Sequence, residues 1–207
     1  MRLKLKKFKT INAGENPPDV SFLPMLARRK LDMTGKIVLS LANAVAGGES
    51  GYRSVFSSRY GCLNGCIKLF ESLNSGAGVS PNGFSSSVHN FPIGMQSILS
   101  KNKESYTAIA AGENSLELGV LEAFAQQSKV FFVCAQEPLL PVIDAEGEEP
   151  QEALGIAFYA EPAPESGDFE LTAGQFANPA LKFGDLKSLL ENGGEICGKF
   201  IKLSLKK

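Results

Sequence analysis

The side chains with the readiest chemistry are four cysteines, Cys62, Cys66, Cys134 and Cys197, and one histidine, His89. Cys62 and Cys66 stand four apart, a spacing that puts both thiols on one helix face and could begin a metal site. A closed site needs further ligands, and only His89 could supply nitrogen. The pair therefore reads as core cysteines, and neither metal nor cofactor is expected. Cys62, just after Tyr60-Gly61, would act as a nucleophile only with a base beside it, and the sequence offers none. His89 has no cysteine or carboxylate at useful spacing; with Asn90 it reads as a buried hydrogen-bonded pair that pins a loop ahead of a helix. Arg28-Arg29-Lys30 reads as a solvated helix face, or as a landing site for an acidic surface.

The chain has 207 residues, 43% hydrophobic and 21% charged, which fits one globular domain over 1–207 whose core needs no covalent staples. A net charge of −1 creates no overall field that would favour nucleic acid. Charge is unevenly spread: residues 1–9 hold five basic residues and no acidic ones, and residues 144–170 hold nine acidic residues and no basic ones. Met1–Thr10 alternates leucine with lysine and lacks the apolar centre of a signal peptide. The longest apolar run, Val130–Ala135, is too short to span a membrane. A reducing, cytoplasmic location without disulfides is the expectation.

The elements follow from periodicity. Met1–Phe8 and Phe200–Lys206 alternate apolar residues with lysines and read as half-exposed strands, the lysines guarding sheet edges and the two termini lying together there. Asn12–Pro24 is a loop, and Leu26–Ala46 reads as one long helix ended by Gly47-Gly48. Tyr52–Ser58 is β-prone, Leu63–Leu73 is an amphipathic helix, and a third helix is expected from Ser86 or Ser87 to Leu99 in spite of Pro92. Tyr106–Ala111 reads as a buried strand, Gly112 as a turn and Asn114–Gln127 as a helix. Lys129–Ala135 runs Val-Phe-Phe-Val without alternation, as a strand buried on both faces does. An acidic solvated loop over Asp144–Gln151, strands at Leu154–Ala160 and Phe169–Thr172, and a helix at Leu181–Asn192 complete the pattern. Helices early and strands late, around a buried strand, predict an α/β layered domain.

Three stretches carry a more specific signal: Pro24-Met25-Leu26 with Arg28-Arg29-Lys30-Leu31; Val55-Phe56-Ser57-Ser58-Arg59-Tyr60-Gly61; and Ser80-Pro81 with Phe84-Ser85-Ser86-Ser87-Val88-His89-Asn90, then Ala108-Ile109-Ala110-Ala111-Gly112-Glu113-Asn114-Ser115. In order and spacing they resemble the N-terminal half of β-ketoacyl synthases, over about Leu23 to Ala160. They look most like the short chain-length-factor-like proteins of aryl-polyene and related fatty-acid-like clusters. The resemblance implies a single thiolase-like half, a mixed sheet covered by helices, with a nucleophile on a sharp turn between a buried strand and a helix whose N-terminal amides favour a thiolate.

At the matching position this chain has Glu113, flanked by Gly112, Asn114 and Ser115 in the expected elbow. A carboxylate is a poor substitute for a thiolate in acyl transfer. The acid/base residues that the family keeps in a second half are not expected in this chain, and His89 does not match them. The resemblance therefore implies a non-catalytic subunit that pairs with a catalytic ketosynthase and bounds its acyl tunnel. The alternatives are a malonyl decarboxylase or acyltransferase using Glu113, or a homodimeric acyl- or carrier-protein-binding module. Glu113 could equally be a helix cap. Ketosynthases pair through the strand beside the elbow, which here implies an intermolecular surface of Tyr106 and Ile109 with Phe84, Ser87, His89 and Asn90 nearby. An acyl carrier protein is a possible second partner, for Arg28-Arg29-Lys30.

Overall fold

The computed structural model describes residues 1–141 and 152–207. Its strands are Arg2–Asn12 (β1), Arg53–Ser57 (β2), Tyr106–Ile109 (β3), Val130–Gln136 (β4), Leu154–Pro162 (β5), Phe169–Ala173 (β6), Gly194–Cys197 (β7) and Ile201–Leu205 (β8). They form one mixed sheet in the order β3-β2-β4-β5-β1-β6-β8-β7. Strands β3, β2 and β4 run parallel, and the pairings from β4 onward are antiparallel. The expected α/β class is the observed one. The acidic stretch Asp144–Gln151 lies outside the described residues.

Strand β4 is buried from Val130 to Ala135 because helices pack on both its faces. On one face lies Met33–Ala46 (α2), which sets Ile37, Val38, Leu41 and Val45 against Phe131, Val133, Ala157 and Tyr159. On the other lie Ser115–Ala125 (α6) and Phe183–Asn192 (α7). There Leu116, Val120 and Phe124 join Phe132, Phe158, Leu186 and Leu190. The sheet curls over these helices, so that β6 and β8 close the same core: Phe124 meets Phe169 edge to face at 4.9 Å, and Leu171, Ile201 and Leu203 are buried beside them. Of the remaining helices, Met25–Arg28 (α1) precedes α2 in the β1–β2 connection, and Leu63–Asn74 (α3), Pro81–Ser86 (α4) and Phe91–Ser100 (α5) connect β2 to β3.

Four expectations are corrected. The long helix 26–46 breaks in two, because Asp32 takes an extended backbone and accepts the Gly35 N–H at 2.7 Å as the N-cap of α2. The third helix also divides: Ser80 caps α4, and α5 starts at Phe91 with Pro92 in its first turn, where a missing N–H costs nothing. The lysine-bearing terminal strands are not the sheet edges, which are β3 and β7. Strand β1 is paired along its length with β5 and at Arg2 and Leu3 with β6. Alternation reports one solvated face, and an inner antiparallel strand has that as readily as an edge strand. The termini do approach each other across β6, where the Met1 ammonium donates to the Leu171 carbonyl at 2.7 Å. Finally, the strand expected to be buried over Tyr106–Ala111 is the edge strand β3, which ends at Ile109 and leaves Tyr106 40% exposed; Gly194–Cys197 is an additional strand, β7, paired with β8.

Candidate functional site

After Ile109 the chain leaves the sheet, turns through a single 3₁₀ turn at Gly112–Asn114 and enters α6. Gly112 has φ +58°, in the left-handed region that a side chain disfavours, which is why glycine stands at the corner. Ser115 locks the bend: its Oγ accepts the Ala111 N–H at 2.9 Å and donates to the Gly112 carbonyl at 2.7 Å. Asn114 occupies the N-cap position, but its side chain makes no capping bond. Glu113 projects from the apex into solvent and makes no hydrogen bond or ion pair among the described residues. The capping bond that the position of Glu113 suggested is not made, and Ser115 ties the bend to the segment ahead of it without capping the α6 amides.

A second glycine closes the helix onto the sheet. A β-carbon at Gly119 would stand 2.5 Å from Ser57 Oγ and 2.9 Å from the Phe132 ring, so α6 lies against β2 and β4 with no room for a methyl group. The ends of the parallel strands are joined beside the bend: the Ser58 N–H donates to the Ile109 carbonyl at 3.1 Å.

His89 reaches this corner from another loop. Its Nε2 lies 3.1 Å from the Ser58 carbonyl and its ring centroid 5.3 Å from that of Phe56, over Gly61. It does pin the loop ahead of α5, but through Ser58; Asn90 is exposed and is not its partner. Ser87 is buried, its hydroxyl donating to the Phe84 carbonyl and its own carbonyl accepting from Cys66. Phe84 is 64% and Tyr106 40% exposed, whereas Ile109 is half-buried against the core around α6. Strand β3 has β2 on one side and no strand on the other.

Two acidic sites escaped the sequence reading. Glu117, fully buried in α6, receives the backbone N–H groups of Phe200, of Ile201 at 2.8 Å and of Leu181 at 3.4 Å. It ties the helix behind the bend to β8 and to the segment before α7. A signal was present: Glu117, Val120 and Phe124 fall on one helical stripe, so an acid sits on the apolar face. The other site gathers Asp32, Cys62 and Glu137 at the start of α2. Glu137 accepts from the Asn64 side chain at 3.2 Å, and the nearby Thr34 and Met33 amides favour its charged form. Burial, and then the neighbouring Asp32 carboxylate, raise its pKa to about 7. Desolvation raises that of Asp32 too. Cys62, the residue just before α3, is buried, and desolvation with the Asp32 charge pushes its thiol far above the ordinary range, so it is held as the unreactive thiol. Among the described residues no cluster of three histidine, cysteine or acidic side chains is placed to hold a metal ion. Among them too, no helix is long and apolar enough to cross a membrane.

A curled mixed sheet with a strand–bend–helix corner is the architecture of a ketosynthase half. The family model for the β-ketoacyl synthase N-terminal domain matches residues 4–182, and the chain belongs to this family. In the solved complex of the ketosynthase ApeO with its chain length factor ApeC from Xenorhabdus doucetiae, one chain superposes with a TM-score of 0.80 at 20% identity, covering 100% of both chains. A chain of the ishigamide ketosynthase/chain length factor superposes with a TM-score of 0.62 at 14% identity, covering 84% of this chain and 68% of that one. At these identities the likeness establishes the fold. No match is found among curated proteins.

Proposed function

We propose that the chain is a non-catalytic, chain-length-factor-like subunit that pairs with a catalytic β-ketoacyl-ACP synthase in aryl-polyene or fatty-acid-like biosynthesis. The observation that carries this reading is the β3–α6 bend, where an exposed glutamate, Glu113, with no hydrogen-bonded base, stands at the corner that the family uses for its cysteine. An exposed carboxylate neither attacks a thioester as a thiolate does nor is activated by a neighbour. The pairing surface is the free edge of β3 with the exposed Tyr106 and Phe84. Its unpaired backbone groups invite a strand from another chain. The two solved relatives are described as ketosynthase and chain-length-factor assemblies, which agrees with this arrangement.

Co-expression with catalytic ketosynthases from its own source, followed by size-exclusion chromatography, tests the reading. The expected result is a stable heterodimer that elongates acyl chains, while the isolated chain turns over neither acyl nor malonyl thioesters. Failure to bind any of them, with self-association through β3 instead, would favour the homodimeric module. Malonyl turnover by the isolated chain that is lost in Glu113→Gln would favour the decarboxylase.

A further inference from the structure

On the face of the sheet opposite α6, a cavity of about 490 Å³ opens between α2, α5 and the segment at 22–24. Leu23, Leu39, Ala42 and Leu99 form its apolar walls, and the half-exposed Phe22 stands at its mouth. Its buried end is polar. Gln96, 2% exposed, donates to the Tyr52 hydroxyl at 2.8 Å and to Ser100 Oγ at 3.3 Å. The Tyr52 hydroxyl accepts that bond, and its own proton has no acceptor among the described residues. Beside it, Tyr159 sets its ring edge-on to Tyr52 at 5.8 Å and holds a second buried hydroxyl without a hydrogen-bond partner. Buried donors in a folded protein are almost always satisfied, so the Tyr52 proton on the cavity wall calls for an acceptor, whereas Tyr159 lies behind the wall next to the Glu49 carboxylate. Glu49 also lines the cavity. Burial first, and then the Glu49 charge, push the Tyr159 pKa up to about 12. The same negative charge repels an incoming anion.

We infer that this cavity is a binding site for a neutral medium-chain carbonyl compound: an ester, an amide or a ketone. The carbonyl oxygen accepts from the Tyr52 hydroxyl, and the alkyl chain lies between α2 and α5. The volume lies in the range that encloses small ligands, and the walls have the mixture typical of such sites, apolar with a few convergent polar groups. A carboxylate of the same length is excluded by Glu49. The inference concerns the isolated chain and does not depend on the pairing proposed above.

The test is calorimetric titration of the full chain with 2-decanone, with decanoate as the charged control. The natural chain contains no tryptophan, so Phe22→Trp adds a sole indole at the mouth and an independent optical readout. Saturable binding of 2-decanone, at least tenfold tighter than decanoate, is the expected result. Tyr52→Phe, which keeps the ring and removes the donor, is expected to weaken 2-decanone about tenfold while leaving decanoate unchanged. If Tyr52→Phe does not fold, Asn43→Phe, at an exposed position on the cavity wall, narrows the entrance and is expected to weaken the ketone likewise. The inference is overturned if calorimetry shows no binding up to the solubility limit of 2-decanone, if decanoate binds as tightly, or if the variant that folds binds the ketone unchanged.

Discussion

Two glutamates one helical turn apart have opposite fates. Glu113 carries its charge into solvent, while Glu117 is sealed in the core by three backbone N–H groups. Truncating a buried acceptor leaves its donors unsatisfied at about 1–3 kcal/mol each. Glu117→Ala should therefore lower stability in urea denaturation by about 3 kcal/mol or more, with Glu113→Ala within about 0.5 kcal/mol of the natural chain. Glu137 sets a pH dependence. Its carboxyl is raised from 4.5 to about 7 by burial and by Asp32, so the folded chain keeps a proton that the unfolded chain has released. Stability should then fall as pH rises from about 4.5 to about 7 and level off above, by roughly 2 kcal/mol once the partial exposure of the group is allowed for. Denaturation midpoints measured across that window should lose most of this slope in Glu137→Gln. A smaller remainder of the same sign is expected from Asp32, whose pKa is also raised.

Among the elements, β3 is the one on which the proposed pairing rests. The carbonyls of Ser105 and Ile109 both accept from the β2 side, so alternation turns the backbone groups of Tyr106 and Ala108 to the open edge. Ala108→Pro removes one outward donor and spares the bonds to β2, a substitution that edge strands tolerate. It should keep the fold, read by circular dichroism, and weaken heterodimer formation at least tenfold; unchanged affinity would place the interface elsewhere. Helix α6 depends on Gly119 instead. A methyl group there collides with Ser57 and Phe132, and overpacking of this kind costs about 1–3 kcal/mol. Gly119→Ala should show that loss in thermal unfolding, with the β3–α6 bend moved away from β2.

For the molecule as a whole, the terminal strands and the bend share one core. Leu3 of β1, Val120 of α6, Phe169 of β6 and Leu203 of β8 belong to a single buried cluster. The apolar face of α6, which a half-fold must cover somehow, is covered by this chain's own β6, β8 and α7. We propose that residues 1–207 act as one domain, which should then unfold in one cooperative step. Leu203→Ala, far from the bend in sequence, should shift the whole transition by about 2–5 kcal/mol. Two separate transitions by fluorescence and circular dichroism would divide the chain.

The sequence by itself determined the local pieces: the buried strand at 130–135, the strand–bend–helix order around Gly112 and Glu113, and the family resemblance that those motifs carry. These rest on short-range rules, where an unbroken apolar run requires cover on both faces and a corner of positive φ favours glycine. Lysine alternation in β1 and β8 could not reveal that β1 lies inside the sheet, because alternation records which face is wet and not what pairs alongside. The tertiary structure alone decided that Asp32 would stand beside Glu137, that Glu117 would meet the amides of residues 181, 200 and 201, and that Tyr52, Gln96 and Tyr159 would gather beside a cavity. Each of these brings together residues distant in the chain, and such contacts depend on how the sheet curls, a property that no local window of sequence contains.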